Sequence, residues 1–412
     1  MRAARALGAA GLLALLAQLL VLSCGRRTSA QPVEVTFWQT WPVEATAPLV
    51  RRFEAANPGV HVVVSRLPEA GATDTLALAA LSGRPPDLVE LTPEQAARFI
   101  DDGLLSDWSA GVADLKPTVR GWELCSLGDA IYGLPWLLRT RVLVWNRELF
   151  AHVGLDTTRA PVTWEDLKTA ATRIEKLGRG VHGYGLPAAP RERFSSFMPF
   201  AWGNGGELFS SRLDSCRIDS PENAEALEFL LSLVPVSLVA DRDSIAREFA
   251  RGRLGLWIVD AGFAVELHRQ EARFPLGVAL VPRPAGDHGT PATTGTGTVL
   301  ASFTRSRRKE DALRFARYLG ERQNTLALAS ALGTVFPPHP GVASAPEYRD
   351  RADAQVCLRQ METARFAPLL RDRDAMLGVV DSLVGEALEH RRSPDATLAL
   401  ADSLIRRLGV TR

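Results

Sequence analysis

Trp38 and Trp41 stand three residues apart around Gln39-Thr40, with Pro42 directly after them. Val33–Trp38 alternates apolar and polar residues as a half-buried strand does, so both indoles fall at that strand's carboxyl end. Glu90 and Thr92 hold the same position relative to a later strand, Pro86–Leu91. A tryptophan is most often a packing residue, but two at one strand end beside a proline turn describe an exposed aromatic platform with a carboxylate nearby. That is binding chemistry. The chain carries no GxSxG, HExxH, Walker A or dinucleotide motif, and Gly295-Thr296-Gly297 is too short for a phosphate cradle. Its seven histidines are scattered, and carboxylate pairs such as Asp101-Asp102 lie in polar surface stretches. The enzyme alternative is a secreted, glycosidase-like carbohydrate-active enzyme, which needs two carboxylates facing each other across a cleft.

The elements that must position these groups alternate. Thr46–Asn57 places Leu49, Val50 and Phe53 on one helical face and stops at Asn57-Pro58-Gly59. Val60–Val64 is the next strand, Thr73–Leu81 a small-residue helix, Pro86–Leu91 a third strand and Pro93–Phe99 a helix closed by Gly103. Strand and helix in turn give a parallel α/β sheet, whose ligands sit beyond the carboxyl ends of its strands. Tyr132–Asn146 is extended around Pro135 and continues into a short helix ending at Gly154; it reads either as a crossover between two lobes or as one more buried strand. Further on, Thr163, Ser220 and Ser393 stand at N-cap positions, and Arg308–Leu319 is amphipathic.

A chain of 412 residues holds two or three domains' worth of core, and its apolar and charged shares, 46% and 23%, are those of an ordinary globular protein. A net charge of +1 provides no field for nucleic acid. Arg2 and Arg5 precede an apolar stretch, Ala6–Leu22, and then Ser23-Cys24. This reads as a secretory signal over 1–23, and the Cys24 ending resembles a bacterial lipobox, whose cysteine becomes the lipidated first residue; an uncleaved anchor is the alternative. Residues 24–32 form a polar tether. Cys125, Cys216 and Cys357 then remain, allowing at most one bridge, and their spacing suggests no metal.

VEVTFWQTW, RRFEAANPGVHV, GRPPDLVEL, YGLPW…LVWNRELFAHVGL and TWEDL, in that order, resemble the bacterial extracellular solute-binding proteins of family 1, the carbohydrate- and glycerol-phosphate-binding components of ABC importers. The likeness resumes with AEALEFL, FARGRLGLWIVDAGF, PATTGTGTVLAS, KEDALRFARYL, ALGTVFPPHP and the final SPDATLALADSLIRRL. Trp145-Asn146 stands where the family usually has Tyr-Asn.

The resemblance implies an α/β, two-lobe fold of the type II periplasmic-binding-protein kind, with discontinuous lobes, a hinge and an interlobe cleft. Transferred here, lobe 1 covers 31–137 and 297–341, and lobe 2 covers 140–294 and 343–412. It implies capture of a sugar or oligosaccharide by lobe closure, delivery to membrane permease subunits, a monomeric chain facing the periplasm or cell exterior, and no cofactor or metal. A sensor without transport is the other binding alternative. Aromatic faces and planar polar groups suit a sugar. The implied ligand residues are Trp38, Gln39, Trp41 and Glu90 from lobe 1, Trp136 and Arg139 from the crossover, and Trp202, Asn204, Trp257 and Asp260 from lobe 2. Gly295 and Thr296 join them at a crossing, and Phe336 where the family often brings an aromatic to the cleft. Trp108, Trp122 and Trp164 are expected in packing. Arg139 and Arg141 keep a phosphate ester open as ligand, whereas Arg371 and Arg373 are expected to be solvated.

Overall fold

Alternating apolar residues make the first three strands, β1 (Val33–Gln39), β2 (Val60–Arg66) and β3 (Leu88–Leu91). A short hairpin of β4 (Ser126–Leu127) and β5 (Ala130–Ile131) follows, then β6 (Leu134–Arg139). Past Thr140 the chain continues as β7 (Arg141–Asn146), with β8 (His182–Pro187), β9 (Ser237–Ala240), β10 (Leu254–Asp260) and β11 (Leu276–Ala279) after it. Two later segments, β12 (Thr293–Ala301) and β13 (Ala364–Phe366), complete the set. This computed structural model describes residues 32–68, 70–269, 274–286 and 289–409. The signal, Cys24 and all of the tether except Pro32 lie outside the described residues.

Among the described residues the strands form two main sheets. One has the order β13-β12-β3-β1-β2, with β6 also on β12; the other runs β11-β7-β10-β8-β9. β1, β2 and β3 are parallel, and β6 and β3 are both antiparallel to β12, so Gln39, Leu91 and Arg139 end at one side of the first sheet. In the second sheet β8, β9 and β10 are parallel, and antiparallel β7 sets Arg141 opposite Asp260. The carboxyl ends of both sheets therefore face the crossing at Thr140, and the first half of β12, paired with β13, is a second crossing.

The period of two in LVW decides which core each side chain joins. Leu143 and Trp145 face one way with Leu256 and Ile258, under the helices Trp164–Glu175, Arg193–Gly203 and Arg373–Leu388. Val142 and Val144 face the other way with Trp257 and Val259, in a core continuous with that of the first lobe. Thr163 caps its helix as expected, and Asp166 completes a capping box by accepting from the Thr163 N–H. Ser220 and Ser393 cap theirs. Trp108 and Trp164 are packing residues: Trp108 is buried and donates to Ser302, and Trp164 stacks on Phe229. Cys125, Cys216 and Cys357 are unbridged and buried, and burial pushes the Cys216 thiol up to about 11. No described helix is long and apolar enough to cross a membrane.

Candidate functional site

Beyond β1 the chain turns through Thr40-Trp41-Pro42, and Glu90 points at this turn from β3. The Thr40 N–H and hydroxyl donate to Glu90 Oε2 at 2.8 and 2.9 Å, and Trp41 Nε1 donates to Oε1 at 2.8 Å. Three donors thus meet a carboxylate that is 1% exposed, while Trp41 itself is only half-buried. Burial pushes the Glu90 carboxyl above its ordinary range, and the bonds from Thr40 and Trp41 work against that rise. Arg139, exposed at the end of β6, sets its guanidinium 5.9 Å from the centre of the Trp41 ring. Beside Arg139 in the β6–β12 register lies Thr296, also exposed. Trp41, Arg139 and Thr296 thus sit at the first crossing, with Glu90 holding the indole from behind.

The second lobe presents a parallel arrangement. Trp202, expected to face the ligand, is instead buried in the second core near the end of its helix, under Arg365 of β13, whose guanidinium is 5.3 Å from the ring centre and is ion-paired with Glu207. Arg365 sits opposite Thr294 on β12, two residues from Thr296. Opposite Arg141, Asp260 accepts from the N–H groups of Gly262 (2.9 Å) and Phe263 (3.2 Å), capping the helix Ala261–Arg269. Burial lowers the Arg141 pKa, and the Asp260 charge counters it.

Several expected ligand residues are occupied with packing. Trp136 is 0% exposed and edge-on to Phe37 at 5.9 Å, because β6 is covered on both faces. Trp257 is 1% exposed between Phe249 and Phe263, facing inward with Val144 by strand alternation. Phe336 is buried, its backbone bridged to Leu138 in both directions. Gln39 is buried and donates to Thr46 at 2.8 Å, fixing the start of the helix Val43–Ala56. Asn204 donates to the Glu222 carbonyl and to Glu225, tying two helices together. Gly295 is glycine because Phe366 occupies the place of its Cβ, 2.6 Å away, so the reason is ring packing and not approach of a ligand. Trp38 is half-buried against the first core.

Arg373, expected in solvent, is 7% exposed at the side chain. It starts the helix Arg373–Leu388 of the second lobe and reaches Glu94 on the helix Pro93–Asp101 of the first, at 3.2 Å. This ion pair joins the two lobes. Thr40, Glu207 and Arg365 were not legible as site residues, since the short strand β13 carries no periodic signal and Glu207 is distant from it in the chain.

A profile of the bacterial extracellular solute-binding proteins matches residues 48–356. The chain belongs to that family. Among solute-binding relatives, a putative binding protein of Brucella abortus is 24% identical over 377 residues, 87% of this chain and 89% of its own. The sn-glycerol-3-phosphate-binding periplasmic protein UgpB of Shigella dysenteriae is 25% identical over 325 residues, 74% of this chain and 73% of its own. The crystal structure of the cyclic alpha-maltosyl-1,6-maltose binding protein of Arthrobacter globiformis superposes with a TM-score of 0.82 at 24% identity, covering 92% of this chain and 99% of that one. The fold is therefore that of two-lobe solute-binding proteins, and the family is one of binders, which leaves the glycosidase-like alternative without support.

Proposed function

We propose that this solute-binding protein captures a sugar, an oligosaccharide or a glycerol-phosphate ester between its lobes and delivers it to the permease of an ABC importer. The observation that carries the reading is Trp41: its indole N–H is fixed by a buried carboxylate while the ring remains half open at the meeting of two sheets' carboxyl ends. An immobilised aromatic face favours the C–H face of a sugar ring at little entropic cost. Arg139 and Arg365 add cationic donors that suit hydroxyls or a phosphate. The names of the relatives in Arthrobacter globiformis and Shigella dysenteriae span the same two ligand classes. A ligand touching both lobes favours the closed arrangement, and permease docking then reads that state. In this reading the chain is exported, cleaved before Cys24, held by lipid on that cysteine and active as a monomer.

A thermal-shift screen against maltodextrins, cyclic glucans and sn-glycerol-3-phosphate tests it. At a ligand excess of about 100 Kd the folded state gains roughly 2.7 kcal/mol, so at least one ligand class should raise the melting point by several degrees. No shift with either class would contradict the ligand assignment.

A further inference from the structure

We infer that the end of the first lobe opposite the cleft is a membrane-facing surface that rests on anionic phospholipid head groups; the inference builds on the lipidation of Cys24 proposed above. Three pieces of chain meet there. β1 begins at that end, with Val33 four residues ahead of the Phe37–Leu88 pairing that marks the start of β3. β12 arrives antiparallel, Ala301 opposite Val89, and delivers the segment 302–309 to the same edge. There Ser306 donates to Asp87 at 2.7 Å, and Asp87 in turn accepts from Thr36 of β1. The helix Ala72–Leu81 runs back from the cleft side and ends at this edge too, with an Arg305 guanidinium nitrogen 3.9 Å from where a Cβ on Gly83 would stand.

The surface so formed is both apolar and basic. Leu78 and Leu81, one turn apart, are 70% and 71% exposed, while the other face of that helix buries Leu76 and Ala80. Arg84, Arg305, Arg307, Arg308 and Lys309 are all exposed, and among the described residues none is ion-paired. The nearby Asp87 carboxylate is held by Thr36 and Ser306 and that of Asp311 by Arg314; Glu34, Glu310 and the exposed pair Asp101-Asp102, brought alongside where the Thr304 N–H donates to the Leu104 carbonyl, oppose the five cations. Leucines beside unpaired cations fit the boundary between head groups and acyl chains.

The position of the tether selects this occupant. From Cys24 to Val33 there are only nine backbone steps, at most about 30 Å when fully extended. An acyl chain on Cys24 therefore keeps this edge within reach of the bilayer, and a lipid chain with a basic patch is the two-signal arrangement that gives stable membrane residence. The anchor fixes residence; the patch fixes orientation. With this end on the membrane the cleft faces away from it, so the contact is a waiting state that docking must release.

The test is co-sedimentation of the mature chain carrying Cys24→Ser, which removes the acyl group, with phosphatidylcholine vesicles with and without phosphatidylglycerol. Binding is expected only to the anionic vesicles and should weaken with salt. Arg307→Gln with Arg308→Gln should weaken it at least ~10-fold, and Leu78→Ser with Leu81→Ser should also weaken it, all with unchanged melting. Equal binding to both vesicle types, no binding, unaffected variants, or binding only when permease subunits are present would overturn the inference. The mass of the native exported chain reads acylation of Cys24 separately, so failure of the lipidation reading is distinguishable from failure of the patch.

Discussion

Trp41 and Trp136 show how far residue type alone carries. Trp41 was read at a strand end and Trp136 in the crossover, yet one ring lies half open and the other is sealed against Phe37. What separates them is the partner of the indole: buried Glu90 holds the Trp41 N–H from the inner side and leaves the ring's face open, whereas the Trp136 N–H finds no partner in the core. The same test sorts Trp257, whose indole N–H is likewise unpartnered among apolar neighbours. A buried indole that loses its ring leaves a cavity, so Trp136→Ala should cost about 3–5 kcal/mol of stability, read as a lower midpoint in urea. Stability within about 1 kcal/mol of the parent would return Trp136 to the cleft.

At the scale of elements, most strands and helices were readable from periodicity and capping, as with Thr163, Ser220 and Ser393. The unread pieces are short or depend on distant partners. β13 is three residues long and exists because β12 pairs with it at the second crossing. Arg373 looked like a surface cation because nothing in its own segment reveals that its helix starts opposite Glu94. That pair adds to the hinge and the continuous core that already join the two lobes, and with Glu94 half exposed it is worth roughly 1 kcal/mol or less. Such a contribution is small against folding but large against an open–closed balance. Glu94→Gln should therefore widen the ligand-free chain, seen as a larger radius of gyration in solution scattering with unchanged melting. An unchanged radius would remove the pair from control of the cleft.

For the whole molecule, the ordered set of segments from VEVTFWQTW to the last helix identified the family, and no single motif would have done so. The two sheets turn their carboxyl ends toward one another across Thr140, and the proposed ligand would touch both lobes there. The account rests on Trp41 as the aromatic wall of that space, held from behind by Glu90 and flanked by Arg139. The most direct measurement is a calorimetric titration of the parent chain and of Trp41→Ala with the ligand selected by the thermal-shift screen. Loss of at least ~10-fold in affinity, about 1.4 kcal/mol, with cooperative unfolding retained is the predicted result; equal affinity in both chains would contradict it.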